Sequence, residues 1–264
     1  MTNEPPRKAL IRALGVAKAY RTADGEVESL KPLDFAIHEG EFLSIVGPSG
    51  CGKSTLLKLV GGLLPATRGS IEIAGKRVEG PADSIGIVFQ NHVLLPWRTV
   101  LDNIMLQIEV RKLPRDSGLL QARKLIEMVG LSGFESKHPW QLSGGMQQRA
   151  SICRALVHDP AILLMDEPFG ALDAMTREKM NLELQRIWSA AKKTVLLITH
   201  SIPESIFLSD RVLVMTERPG SIAAIYDIDL PRPRPLDVMG TERFASYART
   251  LRAHFFAQGN LDAH

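Results

Sequence analysis

The order of apolar and polar positions along the chain predicts an α/β protein. Residues Ala9 to Gly80 mix alternating and continuous apolar runs with Gly, Asp and Pro turn signals, which predicts a strand-rich N-terminal region. Within that region the continuous apolar run Phe42–Val46 is typical of a buried strand, and the run Leu56–Val60 predicts a helix. The segment between these runs therefore joins a strand to a helix.

The middle of the chain is predicted to be helical. Apolar residues recur at helical spacing from Val100 to roughly Ser136, with a break at Pro114. A further helix is predicted to start after Ser143, a good N-cap, and to end before Pro160. We therefore predict a helical insert over about residues 91–158, between two strand-containing blocks.

Strand patterns return after the insert, and the chain ends in a different kind of segment. The prolines of residues 231–235 predict a stiff linker, and Thr241–Gln258 a short amphipathic helix. We expect one main domain over residues 9–230 and a linker with a helix over 231–264. The predicted later strands are Ala161–Met165, Thr194–Thr199, Asp210–Thr216 and a strand within Ser221–Leu230.

The segment Gly47–Thr55 reads GPSGCGKST and has the spacing of a phosphate-binding loop. Gly47, Gly50 and Gly52 stand where the backbone must turn tightly and bring its N–H groups onto a phosphate, at the positive end of the following helix. Lys53 is then expected to reach the β- and γ-phosphates, and the Ser54 hydroxyl to bind Mg²⁺. The chain is expected to bind a nucleoside triphosphate.

Three polar side chains follow predicted strands. Asp166 and Glu167 come directly after one strand, and His200 follows another. Sites in open α/β sheets lie at the carboxyl ends of the strands, so Asp166 is expected to hold Mg²⁺ and Glu167 to direct the attacking water. His200 is placed to contact the γ-phosphate or to orient the catalytic carboxylate.

The start of the predicted helix after Ser143 is also suited to binding an anion. Ser143 is followed by Gly144 and Gly145, which leave backbone N–H groups uncovered at the positive end of the helix. Two other features stay open on local evidence. Tyr20 either stacks on adenine or is a half-buried strand residue, and the exposed-looking Leu94–Trp97 either packs internally or faces a partner.

Composition limits the function classes. The 264 residues carry a formal net charge of +3 with no block of like charge, so a nucleic-acid partner is not implied. No apolar run is long enough to span a membrane, and the N-terminus lacks the apolar core of a signal peptide, so we expect a cytosolic protein. Cys51 and Cys153 are expected to be free thiols.

Six features follow one another along the chain: GPSGCGKST, Gln90, LSGGMQQR, ILLMDEP, ALD and His200. In their order and rough spacing they resemble the ATP-binding-cassette ATPases, over about residues 9–230. The resemblance implies ATP and Mg²⁺ as ligands and a phosphate-loop NTPase core with a mixed β sheet, an N-terminal antiparallel β subdomain and an inserted helical subdomain. It implies catalytic roles for Glu167, His200 and Gln90, and Mg²⁺ contacts from Ser54, Gln90 and Asp166. The nucleotide contacts it implies are Tyr20, Gly47, Pro48, Ser49, Gly50, Cys51, Gly52, Lys53, Ser54 and Thr55, with Ser143, Gly144 and Gly145 from a second subunit.

Three longer segments narrow the resemblance within that family: LLPWRTVLDN, PFGALDAMTRE and THSIPESIFLSDRVLVMTERPG. They resemble the importer ATPases for nitrate, taurine and aliphatic sulfonates. The resemblance implies a homodimer on the cytoplasmic face of the inner membrane that drives a permease and, indirectly, serves a solute-binding protein. Two rival functions weigh less. A DNA or ribosome ATPase would carry long coiled coils or a second cassette, and a phosphate-loop kinase or GTPase would lack LSGG.

Overall fold

The computed structural model describes residues 8–23, 25–170, 172–191 and 193–256. The described residues form two compact units. Unit 1 contains those up to residue 82 and from residue 193 onward, and unit 2 contains those between 83 and 191. Within the described residues, no helix is both long enough and apolar enough to cross a membrane.

An antiparallel sheet of four strands forms the first part of unit 1, as predicted for the N-terminal region. Its strand order is β2-β1-β4-β5. Alternation sets its faces: Ile11 and Ala13 of β1 are buried, whereas Arg12 and Leu14 are exposed. The strands are β1 (Ala9–Thr22), β2 (Gly25–His38), β4 (Arg68–Ile73) and β5 (Lys76–Arg77).

A second, mixed set of strands in unit 1 carries the phosphate loop. In this set β3 (Phe42–Val46) pairs in parallel with both β8 (Thr194–Ile198) and β9 (Arg211–Met215). An antiparallel strand, β10 (Ile222–Asp227), pairs with β9. Every residue of β3 and β8 is buried, and their sequences are apolar apart from Ser44 and Thr194, as expected for strands covered on both faces. The helices of unit 1 are α1 (Lys53–Val60), α6 (Ile202–Leu208) and α7 (Glu242–Phe256).

The proline-rich segment before α7 differs from the expected linker, because it is built into unit 1. Arg234 is 1% exposed, and its guanidinium donates to the carbonyls of Ile206, Phe207 and Ser209 at the end of α6. Burial, and then the charge of Arg232, lowers the pKa of Arg234 to about 10, so the side chain stays charged at neutral pH. Of the predicted C-terminal helix, residues 257 and 258 lie outside the described residues.

Unit 2 contains two parallel strands and four helices. The strands β6 (Ile85–Val88) and β7 (Ile162–Asp166) pair in parallel. The helices agree with the predicted insert: Pro114 separates the first two, and Ser143 caps the third. They are α2 (Val100–Val110), α3 (Arg115–Met128), α4 (Gly144–Leu156) and, after β7, α5 (Ala174–Ala191).

Candidate nucleotide-binding and catalytic site

The phosphate loop joins β3 to α1 through two glycines in the left-handed region, with φ of 75° at Gly50 and 105° at Gly52. Gly52 is the N-cap of α1 and gives that helix no side-chain cap. A Cβ at Gly52 would lie 2.5 Å from Leu30 Cδ2 and 3.1 Å from the Ser29 carbonyl oxygen, and a φ of 105° strains any residue with a side chain, so the position favours glycine. The first backbone N–H groups of α1 thus carry no side-chain cap, which suits an anion.

Lys53 comes directly after the glycines of the phosphate loop, and its side chain lies within that loop. It is 7% exposed, and its Nζ donates to the carbonyl oxygens of Gly47 and Pro48, each at 2.8 Å. A buried ammonium is stable only when hydrogen bonds replace its water. The loop therefore holds one cation at its centre through its own backbone.

A glycine distant in sequence supports the phosphate loop from behind. Gly220 N donates to Ser29 O at 3.0 Å, and Lys31 N donates to Gly220 O at 2.9 Å. A Cβ on Gly220 would lie 2.1 Å from the Cys51 carbonyl oxygen, so no larger residue fits. Sequence reasoning missed Gly220, because nothing local to the Pro219–Gly220 turn indicates what it touches.

Both cysteines are buried free thiols, as predicted. Burial raises the pKa of the Cys51 thiol, against the lowering effect of the Lys53 charge. Burial raises the pKa of Cys153 to about 12. Neither is present as thiolate at neutral pH, so neither is a nucleophile here.

Tyr20 lies close to the start of α1. Its hydroxyl is 3.3 Å from the Thr55 hydroxyl, which joins the end of β1 to the first turn of the helix. The Lys18 ammonium lies 5.3 Å from the centre of the tyrosine ring. The half-buried ring is therefore held beside the phosphate loop with a cation on one side.

His200 follows β8 and lines a cavity of about 960 Å³ in unit 1. Ser201, the next residue, caps α6 by accepting from Glu204 N at 3.3 Å. The same cavity is lined by the first residues of the phosphate loop and by Arg252 and Phe255 of α7. Sequence reasoning missed these two α7 residues, because they reach the cavity only through the packing of the C-terminal helix on unit 1.

In unit 2, two carboxylates stand at the carboxyl end of β7, as predicted. Asp166 is the last residue of the strand and is 6% exposed. Glu167 has a φ of 45°, which is uncommon for a residue other than glycine and is typical of functional sites. Gln90 Nε2 donates to Glu167 Oε2 at 3.2 Å. The glutamine and the glutamate of the predicted catalytic set thus contact each other directly.

The start of α4 is also in unit 2. The Ser143 hydroxyl accepts from Met146 N at 3.3 Å and caps the helix. Gly145 is closely covered, since a Cβ there would lie 3.1 Å from Leu172 Cδ2, whereas a Cβ on Gly144 would have only one neighbour within 4 Å, a His92 ring nitrogen at 3.9 Å. The face of the turn at Gly144 is therefore the more open one.

The segment from Gln90 to Trp97 is fastened at several points. His92 Nδ1 lies 2.6 Å from Gln148 Oε1 on α4, and Arg154 donates to the carbonyls of His92 and Val93. His92 is thus a half-buried, hydrogen-bonded residue.

Asn103 of α2 fixes the other end of this segment. It is fully buried, accepts from Leu95 N at 2.7 Å and donates to the carbonyls of Leu95, Arg98 and Thr99. Trp97, between these contacts, is 70% exposed. The segment therefore presents an exposed tryptophan on a backbone that is held in place.

The family profile described as "ABC transporter" matches residues 30–170, more than half of the chain. The chain belongs to the ABC transporter family. An uncharacterized ABC transporter ATP-binding protein of Methanocaldococcus jannaschii is 48% identical over 227 residues, which cover 86% of this chain and 85% of the relative.

Two further relatives have named functions. The aliphatic sulfonates import ATP-binding protein of Bacillus cereus is 42% identical over 83% of this chain and 86% of its own length. The taurine import ATP-binding protein of Escherichia coli is 45% identical over 79% of this chain and 82% of its own length. The names of both relatives describe import ATP-binding proteins.

Among solved structures, a dimeric bacterial ABC transporter cassette superposes with a TM-score of 0.75 and 32% identity, covering 84% of this chain and all of the cassette. The same cassette, in a dimeric post-hydrolysis state bound to ADP and phosphate, matches with the same values. Together with the family match, this makes the chain an ATP-binding, ATP-hydrolysing ABC ATPase with the fold that the sequence predicted.

Proposed function

We propose that this ABC ATPase is the energising subunit of an importer for small anions of the sulfonate, taurine or nitrate kind. It acts as a homodimer on the cytoplasmic face of the inner membrane, bound to permease subunits that receive solute from a binding protein. The names of the sulfonate and taurine relatives support the import role and favour organic sulfonates as the solute. The dimeric cassette structures support the pairing of two copies.

We assign ATP binding to Tyr20 and to the phosphate loop Gly47–Thr55. Lys53 supplies the cation for the β- and γ-phosphates, and it exchanges the two loop carbonyls that it now contacts for phosphate oxygens. Tyr20 offers a ring face to adenine, which its fixed place beside Thr55 supports. The left-handed glycines and the uncapped start of α1 support a polyphosphate at this loop.

The residues assigned to Mg²⁺ offer the oxygen ligands that this ion prefers: the Ser54 hydroxyl, the Gln90 amide oxygen and the Asp166 carboxylate. The described residues contain no group of three or more His, Cys, Asp or Glu that could hold a metal. This fits Mg²⁺, which is commonly bound by one or two carboxylates together with substrate phosphates and water. The bound ion would neutralise charge on the phosphates.

Catalysis is assigned to Glu167, with Gln90 and His200 as its helpers. Glu167 accepts a proton from the attacking water or orients it, and the bond from Gln90 holds one carboxylate oxygen in place. His200 contacts the γ-phosphate, which its place on the cavity beside Gly47–Ser49 supports.

The start of α4 completes the site of the opposite subunit. Ser143, Gly144 and Gly145 close on the γ-phosphate of ATP carried by the second copy. The open face of the turn at Gly144 supports this role. Of the ALD motif at residues 171–173, Ala171 lies outside the described residues.

The observation that carries the coupling proposal is the course of the Gln90–Trp97 segment. One end is hydrogen-bonded to Glu167, and the other presents Trp97 at 70% exposure on backbone that Asn103 fixes. An aromatic anchor on rigid backbone is typical of an interface hot spot. A permease that moves this segment would thereby act on the catalytic glutamate.

The test is co-purification with the permease subunits of the proposed importer. The double variant Leu95→Ser, Trp97→Ser is expected to keep basal ATPase activity and to lose permease binding. Val110→Ser, Leu113→Ser is the matched control, since these apolar residues of unit 2 are also exposed. Unchanged recovery of permease with the double variant would contradict the assignment.

The solute is tested in vesicles that contain the complete complex. ATPase stimulation by binding protein loaded with taurine, an alkanesulfonate or nitrate should identify the solute class. If none of these solutes stimulates hydrolysis above the level with unloaded binding protein, the proposed solute class is wrong.

A further inference from the structure

Trp140 is an exposed aromatic residue immediately before the start of α4. It lies in the middle of the short 3-10 turn Pro139–Gln141, three residues before Ser143, and is 67% exposed. Large aromatic side chains that are exposed on the surface of a protein commonly mark binding sites. Neither the catalytic assignments nor the Gln90–Trp97 segment accounts for Trp140.

The turn that carries Trp140 is held on both sides. The Trp140 ring stacks on His138, with centroids 4.5 Å apart and planes inclined by 18°. Gln147 Nε2 from the first turns of α4 donates to Pro139 O at 3.0 Å and to Leu142 O at 3.3 Å. Gln141 Oε1 accepts from His138 N at 2.9 Å. The exposed ring is therefore preorganised on the same helix start that presents Ser143.

The chain length between Trp140 and Ser143 fixes how far apart their ligands lie. Three residues span at most about 10 Å. An ATP molecule that places its γ-phosphate at Ser143 extends its ribose and adenine over a comparable distance. An aromatic ring held this close to the phosphate end of the site can thus reach the nucleoside end of the same molecule.

We propose that Trp140 packs against the adenosine part of the ATP that is carried by a second copy of this chain. The base is then contacted by Tyr20 of one copy and by Trp140 of the other. Stacking suits this ligand, because every base offers a π face and loses water on contact with an aromatic ring. The inference rests on the proposed dimer with shared sites and adds a nucleoside contact to it.

The test separates base contact from phosphate contact. Full-length chains with Glu167→Gln are titrated with ATP, or with ribose 5-triphosphate as a base-free probe, and dimerisation is measured by light scattering. Adding Trp140→Ala should raise the half-maximal ATP concentration about fivefold or more, at the lower end of what loss of base stacking costs. The ribose 5-triphosphate titration should not change.

Two variants make this result specific. Trp140→Phe keeps an aromatic face and should restore most of the ATP response. Leu120→Ala removes another exposed apolar side chain from unit 2, at 58% exposure, and should leave both titrations unchanged. Equal weakening with both triphosphates, or no change with ATP, would overturn the assignment of Trp140.

Mixed dimers decide which copy supplies the ring. A Tyr20→Ala chain paired with a Trp140→Ala chain should contain one site with both lesions and one intact site, and so should bind about one ATP with parental affinity. Weak binding at both sites would contradict contact across the interface. If the Glu167→Gln parent itself does not dimerise with ATP, the proposed dimer fails and Trp140 loses its ligand. If the parent dimerises, only the Trp140 assignment is at stake.

Discussion

Two helix starts that we assign to the same ATP molecule are built differently. The α1 helix begins at Gly52, a left-handed residue that gives no side-chain cap, and its first residue is the buried cation Lys53. The α4 helix begins at Ser143, whose hydroxyl caps Met146 N, and its first turn carries no acidic residue and no buried cation.

This difference indicates that the two helix starts have different roles in binding ATP. An uncapped helix start with its own ammonium can compensate several phosphate charges. A start that offers a serine and a glycine turn can add hydrogen bonds to a phosphate already held, but it brings no charge. We infer that α1 binds ATP and that α4 closes on it.

The largest effect is expected from removing the cation. Lys53→Ala should abolish ATP hydrolysis, because it deletes the side-chain charge that the loop holds at its centre. Folding should persist, as judged by far-UV circular dichroism. Near-normal turnover of the purified variant would show that the two helix starts do not differ in the way described.

Glu167→Gln separates binding from chemistry, since it leaves both helix starts intact. The barrier for water attack should rise by about 3 to 5 kcal/mol, which is a rate loss of a hundredfold or more. ATP should still drive dimerisation, and the dimer should no longer dissociate. Normal hydrolysis by this variant would mean that Glu167 is not the residue that directs the water.

Gly220→Ala tests the support behind the α1 loop. The added Cβ meets the Cys51 carbonyl at 2.1 Å, so either the loop or the Gly220 turn must move. Overpacking of this kind costs about 1 to 3 kcal/mol, measured by urea unfolding, and ATP affinity should fall with it. Gly240→Ala is the control, because its Cβ would meet nothing within 4 Å. Equal stability of the two variants would contradict the close approach.

Ser143→Ala should have the smallest effect, because it removes one cap and no charge. Loss of an N-cap costs about 1 kcal/mol of stability. Thr99→Ala removes the corresponding cap of α2, where the Thr99 hydroxyl accepts from Asp102 N at 3.1 Å. Both variants should lose similar stability, but only Ser143→Ala should weaken ATP-driven dimerisation. If Thr99→Ala weakens it equally, Ser143 acts as a cap alone.

How far the sequence predicts this molecule depends on the range of the contacts. The buried strands are predictable because largely apolar runs such as Phe42–Val46 are stable only in the core. The start of α4 is predictable because Ser143 is a typical N-cap residue. The loop glycines and Lys53 are predictable because all of them lie within one short segment, so their spacing along the chain determines how they are arranged in the phosphate loop.

Contacts between distant segments are not encoded in local patterns. Gly220 supports the Cys51 carbonyl from 169 residues away, Arg252 reaches the His200 cavity through α7 packing, and Arg234 turns an apparent linker into part of unit 1. The Pro-rich composition before α7 predicted a stiff linker, and it gave no sign of the buried guanidinium between its prolines.

The central claim is that the two kinds of helix start act on one ATP from different copies of the chain. Lys53→Ala chains and Ser143→Arg chains, both carrying Glu167→Gln to retain the closed state, should each fail to occlude ATP. A mixed dimer would contain one doubly damaged site and one intact site, so we predict about one occluded ATP per mixed dimer. If each chain instead used both of its own helix starts on one nucleotide, every site would keep a lesion. The absence of occluded ATP in verified mixed dimers would contradict the account.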